Sequence, residues 1–328
     1  MNEQDIIRQF QSLNQLNPRI QLGIGDDAAL IQPGSQTLVW TVDTLVEDTH
    51  FLRQMPAAQI AYKSLAVNLS DLAAMNAEPL AALLSLSLPP DLDYHWIQDF
   101  SQGLLAACQQ FGVTLAGGDT VRSREIQISI SLLGESPRPV TRYQSQAGDL
   151  LVLSGHLGAS AAGLTLFQRH LNREPAFCGE FEDPLEQTLW QRHWQVTPRF
   201  AEARTLATQC SRLALLDTSD GLARSVQLLC QANQLGCRIK AQSLPLDPSL
   251  QEALNQGLFQ LQTAQNWVIN GGEDYELLAA IPADQADWLQ TDARFTVIGH
   301  LTQDPAQIIE DGGQSIDLTS GNWGYQHF

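Results

Sequence analysis

The residues best suited to chemistry in this sequence are acidic side chains that recur at the ends of predicted elements, often beside glycine. They are Asp26 and Asp27 in GIGDDAA, Asp43 in TVDT, Asp119 in GGDT, Asp217 and Asp220 in DTSDG, and Glu273 and Asp274 in GGEDYE. Asp71, in NLSDLAAM, joins them from within a predicted helix. Clustered carboxylates repel one another unless a cation is present, and Mg²⁺ prefers hard oxygens together with substrate phosphates. The pattern therefore predicts two or more metal ions that hold a polyphosphate.

Each of these motifs also has a plainer interpretation. A single Asp-Gly pair is usually a turn, and Asp217 and Asp220 could cap the helix that is predicted to begin near Gly221. Asp71 could be a solvated helix residue, although it lies close to Asn68 in an otherwise apolar segment. Independent turns need not all fall at strand ends, so the joint occurrence favours a shared site.

Three further side chains and two glycine pairs complete the candidates. His50, in LVEDTHF, is either a ligand or a surface histidine. Arg142 is either a solvated arginine or a phosphate contact, because its guanidinium fork matches phosphate oxygens. Trp323 is either a core residue or a stacking platform. The glycine pairs at 117–118 and 271–272 could bring backbone N–H groups to phosphate oxygens.

Hydrophobic periodicity and turn residues predict the elements that must position these side chains. The N-terminal part is predicted to be a mixed-sheet α+β domain. Its predicted elements are a helix at 5–16, a Gly-rich turn at 22–27, strands at 37–43, 80–88, 113–118 and 125–133, and helices at 57–75 and 94–111. The prolines of SPRPVT, at 136–141, disfavour helix and central strand alike, so this segment is the predicted linker.

A second α/β unit is predicted after the linker, which gives domains at 1–136 and 137–328. Its predicted elements are strands at 150–153, 213–217, 266–270, 275–281 and 295–299, and helices at 159–170, 197–208 and 221–234. The segment 171–189 is loop-like. Both halves are thus predicted to contain strands that run into a Gly/Asp cluster, which would place carboxylates at the carboxyl edge of a sheet, where α/β sites form.

The composition limits the possible function classes. The 328 residues suffice for about two domains, and a hydrophobic content of 44% suffices for a buried core. The 36 acidic residues against 18 Lys and Arg, with a net charge of −18, argue against binding to nucleic acid or to an anionic membrane. Neither of the two lysines, Lys63 and Lys240, follows a Gly-rich loop, which excludes a Walker-type phosphate cradle. Divalent metal would therefore neutralise any bound phosphate.

The cysteines and the apolar segments predict a cytoplasmic protein. The five cysteines are odd in number and form no C-x-x-C, so we interpret them as reduced, mostly buried thiols. The first residues carry acid where a signal peptide needs base, and the longest apolar run, at 79–90, is too short to span a bilayer. No motif of a covalent nucleophile stands out.

The motifs together resemble a known family. GIGDDAA, TVDTLVEDTHF, AYKSLAVNLSDLAAMNAEP, GGDT, DTSDGL and GGEDYEL, in this order and spacing, closely resemble the bacterial thiamine-monophosphate kinases. These belong to a superfamily of ATP-dependent enzymes related to aminoimidazole ribonucleotide synthetase. GGDT or DTSDG alone would indicate only the superfamily, whereas NLSDLAAM, VDTLVEDTHF and the late GGEDYEL are more specific. The resemblance extends from about Gly23 to Trp323.

The resemblance implies a two-domain fold of the α+β / α/β class. The N-terminal mixed-sheet domain would bind ATP and Mg²⁺ and would pair across a homodimer. The C-terminal α/β sandwich domain would complete the active site. The implied reaction transfers the γ-phosphate of ATP to thiamine monophosphate, with several Mg²⁺ ions, and gives thiamine diphosphate and ADP.

The resemblance also assigns roles to individual residues. The implied metal ligands are Asp27, Thr41, Asp43, Asp71, Asp119, Asp217 and Asp220, with Val42 contributing through its backbone. Three of them are the implied catalytic residues, namely Asp71, Asp119 and Asp220. The implied ATP contacts are Gly118, Asp119, Arg142 and Ser219. The implied contacts to thiamine monophosphate are His50, Glu273 and Trp323. Position 42 is Val where many relatives have Thr, so a side-chain ligand is not available there.

The implied mechanism is a direct in-line displacement without a phosphoenzyme. The nucleophile is a phosphate oxygen that is largely deprotonated at neutral pH, so no strong general base is needed. Two unit charges about 4 Å apart repel by roughly 4 kcal/mol at an effective dielectric constant near 20, and metal ions would offset this repulsion. Trp323 could hold the thiazolium cation by a cation–π contact of about 0.5–2 kcal/mol.

Two alternatives stay open at this point. The first is another member of the superfamily. Selenophosphate synthetases typically carry a reactive Cys (or selenocysteine) and a Lys near the N-terminus, and neither residue occurs before Gly25 here. The hydrogenase-maturation relative carries a Cys near its C-terminus, where this sequence reads YQHF. The second alternative is a non-catalytic, acidic metal-binding protein, which would bind Mg²⁺ or Ca²⁺ without nucleotide dependence.

Overall fold

The structure is a computed structural model that describes most of the chain. The described residues are 9–10, 17–22, 24, 28–312, 314–319, 321 and 323–325. The predicted helix at 5–16 and most of the predicted Gly-rich turn at 22–27 therefore lie outside the described residues, apart from short pieces. Asp26 and Asp27, the first acidic pair of the sequence analysis, also lie outside them.

The chain divides into two compact units. Unit 1 consists of Met1–Leu72, Ala77–Pro139 and Glu174–Gly179, and unit 2 consists of Ala73–Asn76, Val140–Arg173 and Glu180–Phe328. The main division thus falls between Pro139 and Val140, within the proline-containing segment 136–141.

Unit 1 is built around a four-stranded mixed sheet and two long helices. Its described elements are β1 (Ile20–Leu22), β2 (Leu30–Ile31), β3 (Thr37–Val46), α1 (Ala57–Ala74, which ends in unit 2), β4 (Glu78–Leu88), α2 (Tyr94–Phe111), β5 (Thr114–Arg122) and β6 (Gln127–Ser136). The sheet order is β3-β6-β4-β5, and β1 pairs with β2 separately. Only β4 and β5 pair in parallel within the four-stranded sheet. The predicted mixed-sheet α+β domain is confirmed.

One face of the four-stranded sheet is buried and the other is open. Val39 in β3 is buried, whereas its neighbour Trp40 is 72% exposed and Val42 is 62% exposed. Successive side chains of a strand point to opposite faces, so Thr41 and Asp43 lie on the buried face with Val39. The α1 helix, most of whose residues are buried, contacts this face. The strand alternation therefore carries two predicted ligands towards α1.

Unit 2 contains a seven-stranded mixed sheet with helices on both faces. Its described elements are β7 (Leu150–Ser154), α3 (Ala159–Arg173), α4 (Pro184–Trp194), α5 (Phe200–Gln209), β8 (Ala214–Asp217), α6 (Leu222–Asn233), β9 (Gly236–Lys240), α7 (Pro248–Asn255), α8 (Leu261–Asn270), β10 (Leu277–Ile281), β11 (Phe295–Thr302), β12 (Gln307–Asp311) and β13 (Gln314–Asp317), with short 3₁₀ helices at Ala241–Ser243, Ala283–Gln285 and Asp287–Thr291. The strand order is β13-β12-β9-β11-β7-β10-β8.

The central strands of this sheet supply two cores. Leu151 and Leu153 in β7 pack with α6 residues such as Val226. Val152, between them, packs in a second cluster with Leu206 of α5. This alternation is expected of a strand that is covered on both faces. The predicted C-terminal α/β sandwich is confirmed.

Two secondary-structure predictions in unit 2 are wrong. The segment 266–270, predicted as a strand, is the end of helix α8. Ala264 and Val268 are buried at a spacing of four residues, and this helical spacing outweighs the β-propensity of the Trp-Val-Ile run. GGEDYE therefore follows a helix, and the idea that a strand leads into the Gly/Asp cluster fails at this motif.

The loop-like segment 171–189 is the second wrong prediction, because α3 extends to Arg173 and α4 begins at Pro184. The signal for α4 was present in the sequence. Asp183 accepts hydrogen bonds from the backbone N–H groups of Leu185 and Glu186, and Pro184 occupies the first turn. The strands β9, β12 and β13 and the helix α7 were not predicted either.

Four of the five cysteines, Cys108, Cys210, Cys230 and Cys237, are buried, and Cys178 is exposed. None of the described helices combines the length and the apolar character that crossing a bilayer requires.

Candidate active site

Two predicted metal ligands meet in unit 1. The Thr41 hydroxyl on β3 donates a hydrogen bond of 2.5 Å to Asp71 Oδ2 on α1. The neighbouring backbone N–H of Asp43 donates to Asn68 Oδ1 at 3.0 Å. Since Asn68 and Asp71 are three residues apart, they lie on the same side of α1. The helix therefore presents two oxygen-bearing side chains to the strand that carries Thr41 and Asp43.

The side chain of Asn68 is fixed in place. Its amide nitrogen donates to the Ser64 carbonyl one helical turn earlier, at 3.0 Å, and the residue is fully buried. An amide that donates to its own helix and accepts from the strand backbone sets the distance between α1 and β3. This anchoring explains why Asp71, one turn further on, faces Thr41.

His50 lies in a tight turn directly after β3. Its Nδ1 accepts a hydrogen bond of 3.0 Å from the backbone N–H of Val46, so the proton of the neutral imidazole is on Nε2. The His50 carbonyl accepts from the Lys63 ammonium at 3.2 Å. Lys63 is fully buried in α1. Lys63 was not predicted as a site residue, although a lysine within an apolar helix is a visible signal in the sequence.

Gly118 and Asp119 lie on the edge strand β5. A Cβ atom at Gly118 would collide with the carbonyl oxygen of Leu84 on β4, so only glycine fits there. Asp119 is exposed, and its Oδ1 accepts from the Thr120 N–H at 2.9 Å. Both residues line a small cavity of about 70 Å³ with Leu115 and Thr120. Glycine here lets β5 approach β4 closely.

The strand register separates the two groups of unit 1 residues. Asp43 is paired with Ile130, Ile130 with Leu84, and Leu84 with Gly118, so these residues form one row across the sheet. Three strand spacings separate the ends of the row, which corresponds to about 14 Å. Asp43 and Gly118 are thus not brought into contact with each other. Asp119 lies in the next row.

The predicted metal set is not gathered into one cluster by the described residues. Asp27 lies outside them, and the exposed Val42 side chain lies on the face of β3 opposite to Thr41. In the part of the chain that is described, no three His, Cys, Asp or Glu side chains come close enough together to hold a metal. Mg²⁺ usually takes one or two protein carboxylates and completes its shell with phosphates and water. The Thr41–Asp71 pair fits this donor chemistry.

The DTSDG loop of unit 2 joins β8 to α6. Helix α6 begins after Gly221, which has a positive φ of 98° and provides no side-chain cap. The alternative that Asp217 or Asp220 serves as the cap of α6 is therefore not supported. The Ser225 hydroxyl, one turn into α6, donates to the Asp217 carbonyl at 2.9 Å. The backbone of Asp217 thus ties this loop to the first turn of α6.

The GGEDYE segment is joined to the DTSDG loop by hydrogen bonds. The Glu273 N–H donates to the Ser219 carbonyl at 2.7 Å. The Thr218 N–H donates to the Glu276 carbonyl at 2.8 Å, and the Glu276 N–H donates to the Thr218 hydroxyl at 3.0 Å. Glu273 has a φ of 67°, a left-handed backbone conformation that is rare for residues other than glycine, asparagine and aspartate. Two motifs about fifty residues apart thus form one double loop.

Trp323 also belongs to this double loop. Its side chain is partly buried against the core under α6. The next residue, Gly324, donates its N–H to Asn270 Oδ1 at 3.4 Å, and the Tyr325 N–H donates to the Asp220 carbonyl at 3.1 Å. Among the predicted site residues, Ser219, Asp220, Glu273 and Trp323 are therefore neighbours. Trp323 can both pack against the core and offer a stacking surface, because its side chain is only partly buried.

Arg142 is held at the other end of α6. Its carbonyl accepts from the amide of Asn233, the last residue of α6, at 2.8 Å. Ser219 precedes the first residue of the same helix, and twelve helical residues correspond to about 18 Å. The structure therefore does not bring Arg142 and Ser219 together. The Arg142 side chain is exposed.

A buried ionic network behind the double loop was missed in the sequence. Glu276 is 2% exposed, pairs with Arg199, and accepts a 2.5 Å hydrogen bond from the Ser154 hydroxyl. Asp274 accepts from the N–H groups of Gly158 and Ser160 at the start of α3. The residue as a whole is half-buried, but its carboxylate is enclosed, and this burial raises the pKa of Asp274 to about 7. The only sequence signal was the clustering of acids in GGEDYE.

Comparison with known proteins agrees with these features. The family model of the AIR synthase related protein, N-terminal domain, matches residues 25–136. The chain is similar to the thiamine-monophosphate kinase of Haemophilus influenzae, with 36% identity across 100% of this chain and 98% of that protein.

Solved structures are similar as well. The crystal structure of thiamine-monophosphate kinase from Stenotrophomonas maltophilia K279a has a TM-score of 0.78 and 33% identity, and the match covers 94% of this chain and 95% of that one. A structure described as AaThiL complexed with AMPPCP and TMP has a TM-score of 0.78 and 30% identity, with 99% and 95% covered.

These matches define first a class and then a family. The sheet of unit 1, with its Gly-Asp edge, lies within the segment that matches an AIR synthase related domain. The similarity to the kinases extends over both units at more than 30% identity. The chain belongs to the thiamine-monophosphate kinase family.

Proposed function

We propose that this chain transfers the γ-phosphate of ATP to thiamine monophosphate and so forms thiamine diphosphate and ADP. The observation that carries the proposal is the similarity to thiamine-monophosphate kinases along the whole chain, which includes every acidic motif. A similar structure is described as complexed with AMPPCP and TMP, an ATP analogue and the expected acceptor. On the same resemblance to bacterial enzymes, we propose a cytoplasmic location.

The reaction needs charge compensation more than it needs a base. The attacking atom is an oxygen of the acceptor phosphate, which is already largely deprotonated at neutral pH. In-line attack on the γ-phosphorus therefore requires that two polyanions be positioned and their repulsion relieved. A chain with a net charge of −18 and two lysines has little positive charge of its own for this task.

We propose that acidic side chains of each motif group bind Mg²⁺. In unit 1 the oxygen donors are Asp43, Asp71, Asp119 and the Thr41 hydroxyl, with Asp27 and the Val42 backbone as further candidates. In unit 2 the donors are Asp217 and Asp220. Bound there, Mg²⁺ would neutralise phosphate charge and stabilise the transition state. The 2.5 Å contact between Thr41 and Asp71 supports this proposal, because it places two hard oxygens side by side.

The remaining proposed roles follow from the hydrogen-bonding capacity of each residue. The His50 imidazole, whose Nδ1 is already used as an acceptor, can donate from Nε2 to a phosphate oxygen of the acceptor. Gly118 exposes strand backbone where a side chain cannot fit, which suits contact with ATP. Arg142 offers an exposed guanidinium fork, and Ser219 a loop hydroxyl, as further ATP contacts.

Glu273 and Trp323 are proposed to hold the thiamine part of the acceptor. Thiamine carries a thiazolium cation and an aminopyrimidine. A carboxylate can accept a hydrogen bond from the amino group or lie close to the cation, and an indole ring can stack on the cation. The double loop places both residues beside Asp220, which is a proposed metal ligand.

We test this function with a coupled ADP-release assay on the purified chain with ATP and Mg²⁺. We expect turnover with thiamine monophosphate and little with thiamine, because thiamine lacks the phosphate nucleophile. EDTA should abolish the signal and added Mg²⁺ should restore it. Equal ADP release with and without thiamine monophosphate would contradict the proposed acceptor, and turnover in EDTA would contradict the metal requirement.

We also propose that the chain forms a homodimer through the open face of the unit 1 sheet. This face, here called the open sheet face, carries the exposed apolar side chains Leu38, Trp40, Val42, Leu83 and Val121. Exposed apolar side chains gathered on one face of a sheet mark interaction surfaces. The indole nitrogen of Trp40 donates a 2.6 Å hydrogen bond to the Ser131 hydroxyl, which restrains the ring.

Sedimentation velocity tests the dimer. The substitution Trp40→Asp, at 72% exposure, should shift the protein to a monomer, because a charge on the open sheet face would be desolvated on pairing. The matched control Leu261→Asp, at 62% exposure on helix α8 of unit 2, should leave the sedimentation coefficient unchanged. A dimer that survives Trp40→Asp would contradict pairing through this face.

A further inference from the structure

We propose that His193 is a positioning residue whose buried imidazole fixes the carboxylate of Glu273 in the orientation that receives the thiamine part of the acceptor. This inference rests on the proposed function, since it assigns a purpose to a contact of Glu273. His193 lies on α4 and does not belong to any of the acidic motifs.

The contact is between the imidazole and the carboxylate. His193 Nδ1 lies 3.5 Å from Glu273 Oε2 and 3.1 Å from the Ser160 hydroxyl. His193 is 1% exposed, whereas the Glu273 side chain is 27% exposed. One partner is thus enclosed in the protein and the other reaches towards solvent. A buried group that contacts a half-exposed carboxylate can set the direction of that carboxylate.

The imidazole is held rigidly. Its ring stacks on Trp190, with ring centroids 5.4 Å apart and an angle of 26° between the planes. Trp190 in turn stacks on Phe167 of α3 at 4.3 Å. His193 and Trp190 both lie on the buried side of α4. Burial and stacking on Trp190 restrain the imidazole ring, whose Nδ1 faces Glu273 and Ser160.

Glu273 needs this support because its backbone alone does not fix its carboxylate. Its φ of 67° and its N–H bond to the Ser219 carbonyl hold the main chain in the double loop. The side chain still has three rotatable bonds, and ordering them costs conformational entropy when a ligand binds. The contact with His193 orders the carboxylate before the ligand arrives, which is preorganisation.

The proton arrangement follows from the partners. An ionised carboxylate can only accept hydrogen bonds. Positioning of Glu273 by His193 thus requires a proton on Nδ1, and the Ser160 hydroxyl oxygen can accept from the same N–H. The amide of asparagine places its nitrogen close to the position of Nδ1, whereas the amide of glutamine reaches the position of Nε2. These two substitutions therefore separate hydrogen bonding from space filling.

The experiment measures kcat and KM for both substrates in the ADP-release assay. We expect His193→Leu and His193→Gln to raise KM for thiamine monophosphate by about tenfold, the scale of one hydrogen bond to a charged group. His193→Asn should stay within about twofold to threefold of the parent protein, and KM for ATP and kcat should change little in all three. The control His170→Leu removes another imidazole–carboxylate contact, to Glu186 at 2.9 Å, and should leave every constant unchanged.

The opposite order of the variants would overturn the inference. A residue that only fills space tolerates Gln better than the smaller Asn, so a lower KM for His193→Gln than for His193→Asn contradicts positioning. The double variant gives a second test that does not depend on the fold of one mutant. If His193 acts through Glu273, His193→Asn and His193→Gln should have the same KM in a Glu273→Gln background, and a retained difference would overturn the inference.

The two proposals fail in different ways. If the parent protein does not phosphorylate thiamine monophosphate, the proposed function is overturned together with the inference. If the parent is active but Glu273→Gln leaves KM for thiamine monophosphate unchanged, the substrate role of Glu273 and its positioning by His193 are overturned, and the kinase function stands. If Glu273→Gln raises that KM and His193→Gln does not, only the inference is overturned.

Discussion

Replacement of Glu276 by Gln should destabilise unit 2 strongly, because Glu276 is the buried centre of the ionic network behind the double loop. Its carboxylate pairs with Arg199, accepts from the Ser154 hydroxyl at 2.5 Å and accepts from the His156 N–H at 3.3 Å. The side chain of Glu276 is 3% exposed and that of Arg199 is 23% exposed. Glu276→Gln keeps the shape but leaves the arginine charge without its counter-charge.

The magnitude follows from burial. Removal of one partner of a buried ion pair costs about 3–5 kcal/mol, because the other charge stays desolvated. Arg199 retains some contact with water, so we expect the lower end, about 3 kcal/mol. In the exposed pair of Arg238 and Asp304, at 3.3 Å, the side chains are 37% and 60% exposed. Asp304→Asn should therefore cost no more than about 1 kcal/mol.

Urea unfolding followed by circular dichroism measures both variants. Free energies of unfolding come from linear extrapolation to water at pH 7.5. In a unit of 150–250 residues, about 3 kcal/mol also corresponds to a decrease in Tm of roughly 6–12 °C. If Glu276→Gln lowers the free energy of unfolding by no more than Asp304→Asn does, burial does not control the strength of the Glu276–Arg199 pair, and the prediction is refuted.

Three further predictions concern the motifs themselves. Asp71→Asn should lower kcat by about 100-fold in the ADP-release assay, because the amide lacks the anionic oxygen proposed to bind the metal. The circular dichroism spectrum should not change, and a kcat near that of the parent would contradict the metal role. Gly118→Ala should lower the free energy of unfolding in urea by about 1–3 kcal/mol, because its Cβ would collide with a strand carbonyl. The control Gly117→Ala should cost less, because its Cβ meets only the tip of a leucine side chain at 3.2 Å. The pKa of Asp274 is raised to about 7 in the folded state, so the folded protein binds its proton more tightly than the unfolded chain does, and this group lowers the free energy of unfolding as the pH rises from about 4 to about 7. Asp274→Asn should flatten the decrease between pH 5 and pH 8 in urea titrations, and an unchanged slope would contradict the raised pKa.

Much of the fold could be predicted from local patterns. The helix at 94–111 was predicted at its observed bounds, because its apolar spacing is regular, Asp93 caps its start and Gly112 ends it in a left-handed conformation. The strand at 37–43 was predicted from its β-forming residues but was three residues too short at its end. The helix α8 was missed because a short apolar run fits strand and helix equally well, and only its packing against α6 and α3 decides between them.

Some features of the candidate site could also be predicted from the sequence, whereas others depend on the tertiary structure. The order of the acidic motifs, many of them beside glycine, is visible in the sequence alone, and this was enough to indicate metal-assisted phosphate chemistry and the family. The contacts of Ser219 with Glu273 and of Thr41 with Asp71, and the positions of His193 and Glu276 behind the loops, follow from the fold. Residue type and periodicity are local properties of the chain, whereas a contact between residues thirty to eighty positions apart depends on how whole helices and strands pack. No local pattern records that packing.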